Sequence, residues 1–202
     1  SDYPIVPFDA WAKHYHHSIK TQASRNILVG YSMGGRLGLH LLKHVPQHWQ
    51  AAIFISTHYG LETCEARFKR IEADEQWAEK FLQQRWFDVI AAWEDQKIFK
   101  ESLSRQERQE NDYSRKQLSE CFISWSLGRQ ENLLHLLNCL SMPIFWIVGE
   151  KDEKFVQIAK KLNFLNPKSK VYVMKNASHR LLWEYPEKTL EIIKNFLKEM
   201  EC

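Results

Sequence analysis

Short apolar runs and longer amphipathic stretches alternate along both ends of this chain, and the middle breaks that rhythm. Phe8, Trp11, Tyr15 and Ile19 recur every three or four residues, which predicts an amphipathic helix over 8–20. The run NILVGY (26–31) predicts a short buried strand, and 33–44 carry the apolar spacing of a helix that Pro46 ends. AAIFIST (51–57) is apolar and β-branched over a short length, which predicts a second buried strand. Past Pro143 the pattern returns, with strands predicted at IFWIVGE (144–150) and KVYVM (170–174), and helices over 155–164 and 187–200. Strands apolar on both sides, alternating with helices, predict an α/β fold with a mostly parallel sheet covered by helices on both faces.

Between residues 60 and 140 there are no prolines, few glycines and many charges, with aromatics at helical intervals (Trp77 and Phe81; Trp86, Ile90 and Trp93). That texture predicts several helices and no strand. The expected organisation is a sheet core from 1–57 and 142–202, with 58–141 as a helical insertion standing over it as a lid.

With 202 residues, 44% of them hydrophobic and 26% charged, the chain suits one globular domain that carries an insertion. No apolar run approaches the ~20 residues needed to span a bilayer. A net charge of +3, evenly spread, argues against nucleic acid and leaves room for a local basic pocket that takes a small anion. Cys64, Cys121, Cys139 and Cys202 show neither metal-type nor disulfide-scaffold spacing, so they are expected to be reduced thiols, as in a cytoplasmic protein. No signal peptide is visible, although the chain starts at Ser1. His14, His16 and His17 lack the i, i+4 pairing that aims two ligands at one ion and are expected on a solvated helix face.

Gly30-Tyr31-Ser32-Met33-Gly34 matches G-x-S-x-G, with a predicted strand before it and a predicted helix after it. In that context Ser32 stands exposed at the carboxyl edge of the sheet. The backbone N–H of Met33, at the helix start, can face a developing oxyanion. Such a serine needs a base, and the base an acid to orient it, in the order Ser, Asp or Glu, His. Asp152, in the loop after the third predicted strand, and His179, just past the last one, fill that order, with Glu150 and Glu153 as rival acids. Arg36 lies one helical turn past Ser32, on the serine's side of the helix.

These residues, with GYSMGGRLGLHLL, YGLETCEARFKRIEADEQWAEKFLQQRW, AAWEDQKIF, VGEKDEKF and the H-x-x-x-x-E-x-P ending at Pro186, resemble the α/β-hydrolase superfamily over the whole chain. Within it the chain is similar to the 2-succinyl-6-hydroxy-2,4-cyclohexadiene-1-carboxylate synthases of menaquinone biosynthesis. The resemblance implies a lyase whose triad serine acts as a base. It would draw a proton from an enolpyruvyl-bearing cyclohexene polycarboxylate and release pyruvate, without cofactor or metal. It also implies that Tyr31, Met33, Arg36, Arg70, Trp93 and Arg115 contact the substrate. Read without it, Arg70 and Arg115 are solvated helix charges and Trp93 is a packing residue. Ser178 stands where the family has a glycine, and Leu182 where it often has a second histidine. SDYPIVPFDAW resembles the stretch just after the family's P-G-H-G-x segment, which implies that the opening strands and their His-Gly loop are absent. The alternatives are a generic esterase or thioesterase, or a catalytically impaired shortened homologue.

Overall fold

The computed structural model describes residues 5–19, 26–104 and 107–201. Helix α1 (Phe8–Ser18) leads to strand β1 (Ile27–Tyr31), helix α2 (Ser32–His44) and strand β2 (Ala51–Ile55). Helices α3 (Cys64–Gln83), α4 (Trp86–Glu94), α5 (Lys97–Lys100), α6 (Arg115–Ser124) and α7 (Leu134–Cys139) then precede strand β3 (Ile144–Gly149). Helix α8 (Glu153–Ala159), strand β4 (Lys170–Met174) and helices α9 (Leu181–Glu184) and α10 (Pro186–Glu201) complete the order. Lys20, at the end of the first predicted helix, and Cys202 lie outside the described residues.

The strands form one sheet in the order β1-β2-β3-β4, each neighbour parallel, with Ile27 opposite Ala51, Phe54 opposite Trp146 and Val148 opposite Val173. Alternate side chains of each strand point to opposite faces, so the sheet feeds two cores. Leu28, Ala52, Phe54, Ile144, Trp146 and Val148 pack with α1, α2, α7 and α8 on one face. Ala51, Ile53, Ile55, Phe145, Ile147 and Met174 pack with α9 and α10 on the other. Each fully buried Ile, Val, Phe or Met side chain among these contributes about 1.5–3 kcal/mol of transfer free energy. Because all strands run parallel, their carboxyl ends share one edge, where ligands of open α/β sheets gather.

The middle of the chain is helical, as its texture predicts, but α7 does not belong with the other inserted helices. Leu133, Leu137 and Leu140 are buried in the core shared with β2 and β3. Their i, i+4, i+7 spacing is a core stripe inside a segment that otherwise reads as charged. Helix α8 ends at Ala159, short of the predicted 164. The N–H groups of Lys161 and Leu162 turn back to Ile158 and Ala159, and Asn138 takes the Asn163 N–H on its side chain (2.9 Å) and the Leu165 N–H on its carbonyl (2.9 Å). A tertiary partner thus captures the chain where an isolated helix would continue.

The expected solvated histidine face is also more ordered than its sequence suggests. The His16 ring packs 5.5 Å from His17, 5.7 Å from His44 and 4.8 Å from His48, and its buried Nδ1 has no hydrogen-bond partner among the described residues. Among the described residues no grouping of His, Cys, Asp and Glu could hold a metal, Cys64, Cys121 and Cys139 are free thiols, and no helix is long and apolar enough to cross a membrane.

Candidate active site

Strand β1 hands over to α2 without a loop, and Ser32 takes the strain, with φ at +47°. That left-handed conformation costs a non-glycine residue on the order of 1–3 kcal/mol and persists only where the surroundings enforce it. The surroundings leave no room for side chains at the turn: a Cβ on Gly30 would lie 2.5 Å from the backbone at Gly35 Cα, and one on Gly35 would lie 1.9 Å from the Thr57 side chain at Oγ1. Thr57 is buried and its hydroxyl donates to the Ile55 carbonyl (3.1 Å), so it has little freedom to retreat. Gly35→Ala is therefore expected to destabilise the fold by about 1–3 kcal/mol through overpacking. Denaturant unfolding will check this, and an unchanged midpoint would show that Thr57 yields.

The turn presents Ser32 to His179 and Asp152, which arrive from the loops after β4 and β3. The Ser32 hydroxyl donates to His179 Nε2 (3.0 Å), and His179 Nδ1–H donates to Asp152 Oδ2 (2.6 Å). The carboxylate on Nδ1 fixes the tautomer that leaves Nε2 free to accept a proton. His179 and Asp152 are buried, at 2% and 8% exposure. The imidazole is flanked by Phe155 (4.7 Å between centroids), Tyr31 (5.7 Å) and Phe99 (6.2 Å), and its backbone carbonyl accepts from Ser56 Oγ (3.0 Å). The rival acids are placed elsewhere: Glu150 accepts the Asn176 N–H (2.9 Å), and Glu153 is exposed in the first turn of α8.

The other sequence candidates divide. Burial raises the Tyr31 phenol well above its usual range, so it stays protonated beside His179. The Met33 side chain is exposed, and its N–H is among the first four of α2, which have no partner within the helix. Arg36 is buried (8% exposed); it donates to the Trp125 carbonyl and its guanidinium lies 5.4 Å from the Phe8 ring centroid. Among the described residues no carboxylate lies within ion-pair distance of it. Burial, and then the like charge of Arg70, push its pKa down to about 9, so it is still a cation at neutral pH. Arg70 reaches the same region from α3 and is paired with buried Asp74 (2.8 Å). Trp93 sits in a ring cluster with Trp77, Phe81, Phe99 and Phe122, through which it approaches His179 by way of Phe99.

Arg115 is not brought to this site. Its guanidinium donates to Glu110 (2.6 Å) and to the carbonyls of Phe81 (3.0 Å) and Gln84 (2.6 Å), and it lies over the Trp86 ring. Those bonds tie the end of α3 to α6. The free carbonyls of a helix end are strong ligands for a neighbouring arginine, and they have claimed it.

Nothing in the sequence marks His58: it lies between the end of β2 and a glycine, with no motif around it. Its Nδ1 accepts the Gly60 N–H (3.0 Å), which places the ring proton on Nε2. Burial, with Lys154, Arg36 and Arg70 nearby, pushes its pKa down to about 3. His58 borders a cavity of about 260 Å³ that Tyr59, Thr63, Ala66, Ile158 and Lys161 also line. Folding therefore holds His58 neutral where the unfolded chain protonates it. Stability is fully present above the unfolded value near 6.5 and is lost as pH falls toward 3, at up to about 1.4 kcal/mol per pH unit. His58→Gln is expected to flatten the loss between pH 6 and 4 in chemical unfolding, and an unchanged slope would assign the acid sensitivity to other groups.

A model of the alpha/beta hydrolase fold matches residues 1–186. The 2-succinyl-6-hydroxy-2,4-cyclohexadiene-1-carboxylate synthase of Salmonella typhimurium (strain LT2) is 29% identical over 202 positions, covering 96% of this chain and 78% of that protein. The enzyme of the same name from Salmonella heidelberg is 30% identical over 176 positions, covering 85% of this chain and 68% of that protein. The structure of MenH from Staphylococcus aureus superposes with a TM-score of 0.89 at 26% identity, covering 97% of this chain and 77% of that one. With a strained serine between strand and helix, a histidine and an aspartate on the same sheet edge, and this likeness along nearly its whole length, the chain belongs to the alpha/beta hydrolase fold family, alongside the MenH-type synthases.

Proposed function

We propose that this chain is a carbon–oxygen lyase that eliminates pyruvate from 2-succinyl-5-enolpyruvyl-6-hydroxy-3-cyclohexene-1-carboxylate, giving 2-succinyl-6-hydroxy-2,4-cyclohexadiene-1-carboxylate. The observation that carries this reading is Arg36: a buried cation with no carboxylate in ion-pair reach among the described residues, close to Arg70 and one helical turn from Ser32. An unpaired buried charge is costly, and an anionic substrate supplies the missing partner. Guanidinium groups match carboxylates bidentately, so Arg36 and Arg70 are assigned to the substrate carboxylates, with Tyr31 and Trp93 beside them. Arg115 is left out of that role.

In this mechanism His179 takes the Ser32 hydroxyl proton on Nε2 while Asp152 steadies the imidazolium that forms. The Ser32 oxygen then draws a proton from the ring carbon of the substrate. The electron pair left on that carbon becomes the C2–C3 double bond, the ring's original double bond shifts to C4–C5, the C–O bond to the enolpyruvyl group at C5 breaks, and the departing enolate takes the proton from the His179 imidazolium to become pyruvate. No acyl-enzyme forms and no water attacks. The inserted helices α3–α6 act as the lid that keeps water out. Free thiols suit a cytoplasmic setting.

The same Ser–His–Asp geometry supports ester hydrolysis, in which Ser32 attacks a carbonyl and the Met33 N–H steadies the oxyanion. Incubation with the enolpyruvyl substrate, with pyruvate followed by coupled reduction to lactate, separates the two. Pyruvate release supports the lyase. Rapid turnover of simple neutral esters with no pyruvate would replace it with the hydrolase.

A further inference from the structure

The substrate of the proposed lyase carries three carboxylates, on the ring, on the succinyl arm and on the enolpyruvyl group. Arg115 is tied elsewhere, so two guanidinium groups remain for them, and Arg70 already shares its charge with Asp74 (2.8 Å). A trianion between one free cation and one half-committed cation leaves a carboxylate without a partner. A further positive charge stands in the same region, on the first turn of α8.

Helix α8 starts directly after Asp152, and Lys154 is its second residue. Helices α3 and α8 flank the cavity of about 260 Å³, with Ala66 on one side and Gln157 and Ile158 on the other. The Lys161–Glu62 ion pair (2.5 Å) ties the chain just after α8 to the chain just before α3. One turn from the cavity on the same side of each helix, four residues after Ala66 and four before Ile158, stand Arg70 and Lys154. Lys154 is exposed, yet loss of water around its ammonium, and then the like charge of Arg70, push its pKa down against the pull of Asp152 and Asp74. Two cations from facing helices thus share one locality. Among the described residues Lys154 makes neither a hydrogen bond nor an ion pair, so its ammonium keeps three donors free.

His58 belongs to the same group. It feels Lys154, Arg36 and Arg70 together and is held neutral with its proton on Nε2, and that N–H has no hydrogen-bond partner among the described residues. A protonated imidazole there would add one more like charge, whereas the neutral ring adds a donor and no charge. Phe155, next to Lys154 on α8, lies 6.2 Å from His58 and 4.7 Å from His179 between ring centroids, so these donors stand one ring away from the triad. We propose that Lys154, with the His58 Nε2–H near it, is the third arm of the anion pocket and takes the substrate carboxylate that Arg36 and Arg70 leave without a cation. The identity of that carboxylate rests on the lyase reading; the presence of an anion site beside α8 does not.

The test compares Lys154→Met, Lys154→Arg and His58→Asn with the parent chain. Asparagine keeps an acceptor for the Gly60 N–H and removes the Nε2–H. Titration calorimetry with propane-1,2,3-tricarboxylate follows the anion site directly, and pyruvate release follows the substrate. Lys154→Met is expected to weaken tricarboxylate binding about tenfold, the loss of one charged contact, and His58→Asn about threefold. With the enolpyruvyl substrate, Lys154→Met raises KM about tenfold with kcat within about threefold, because the contact is made in the ground state and the transition state alike. Lys154→Arg recovers most of both losses, which a purely structural role for the lysine stem would not require. Should His58→Asn fail to fold, the two Lys154 variants carry the comparison. A KM for Lys154→Met within about twofold of the parent would overturn the proposal, even with weaker tricarboxylate binding, since the substrate would then not use the lysine. Absence of pyruvate release by the parent would instead count against the lyase reading and leave the calorimetry to decide this one: no binding to the parent, or equal affinity in Lys154→Met, removes the third arm.

Discussion

Ser32→Ala will abolish pyruvate release, lowering kcat by about 10³-fold or more, while the protein unfolds at nearly the same temperature. The activity loss follows from the mechanism: the hydroxyl oxygen is the atom that receives the substrate proton, and no other described side chain donates to His179 Nε2. The near-constant stability follows from the backbone. Alanine at φ +47° carries the same strain as serine, so nothing is relieved, and the one bond lost, to His179 at 3.0 Å, is part-buried and worth about 1 kcal/mol. His179→Gln should cost as much, and the double variant hardly more than either, because base and acceptor act as a unit. Coupled pyruvate assay and thermal unfolding of the three variants check this. Full activity in Ser32→Ala would mean that another group takes the proton, and the lyase mechanism would have to be redrawn around it.

The parts of this molecule that depend on local pattern are legible in its sequence. IFWIVG is apolar throughout because both of its faces are covered, and the structure places β3 there; β1, at the edge of the sheet, is covered on one face and leaves Val29 exposed. The G-x-S-x-G turn is legible for a related reason: the close approach of Gly30 to Gly35, and of Gly35 to Thr57, admits no side chain. What the sequence could not show depends on partners far along the chain. Arg115 reads the same as Arg70 in a charged helical run, yet the open carbonyls at the end of α3 take it away from the site. Glu94 lies in a helical insertion and Arg180 just after a histidine, and only the fold brings the two together, 86 positions apart. His58 acquires its fixed tautomer from a neighbouring backbone N–H, and its neutrality from burial and nearby cations. Neither is visible in the letters STHYG.

Arg36→Met should separate function from stability in opposite directions. Methionine fills a similar volume without charge. It removes a cation that burial and Arg70 disfavour and that no described carboxylate offsets within ion-pair reach. Against that gain stands the loss of the bond to the Trp125 carbonyl, which leaves that oxygen short of a donor at about 1–3 kcal/mol. Removing a buried charge also removes its desolvation penalty, so the variant is expected to unfold at the same or a slightly higher denaturant concentration. Activity should move the other way. With the guanidinium fork gone, kcat/KM for the enolpyruvyl substrate falls about 10²–10³-fold, the cost of a buried charged hydrogen-bonded contact. Turnover of a small neutral ester, if there is any, barely changes. A polycarboxylate such as succinate should raise the melting temperature of the parent chain and leave that of Arg36→Met unmoved, since only a ligand that binds the native state stabilises it. A variant that melts several degrees lower yet keeps its lyase activity would assign Arg36 to holding Trp125 and α6 in place, and the anion site would then have to be sought around Arg70 alone.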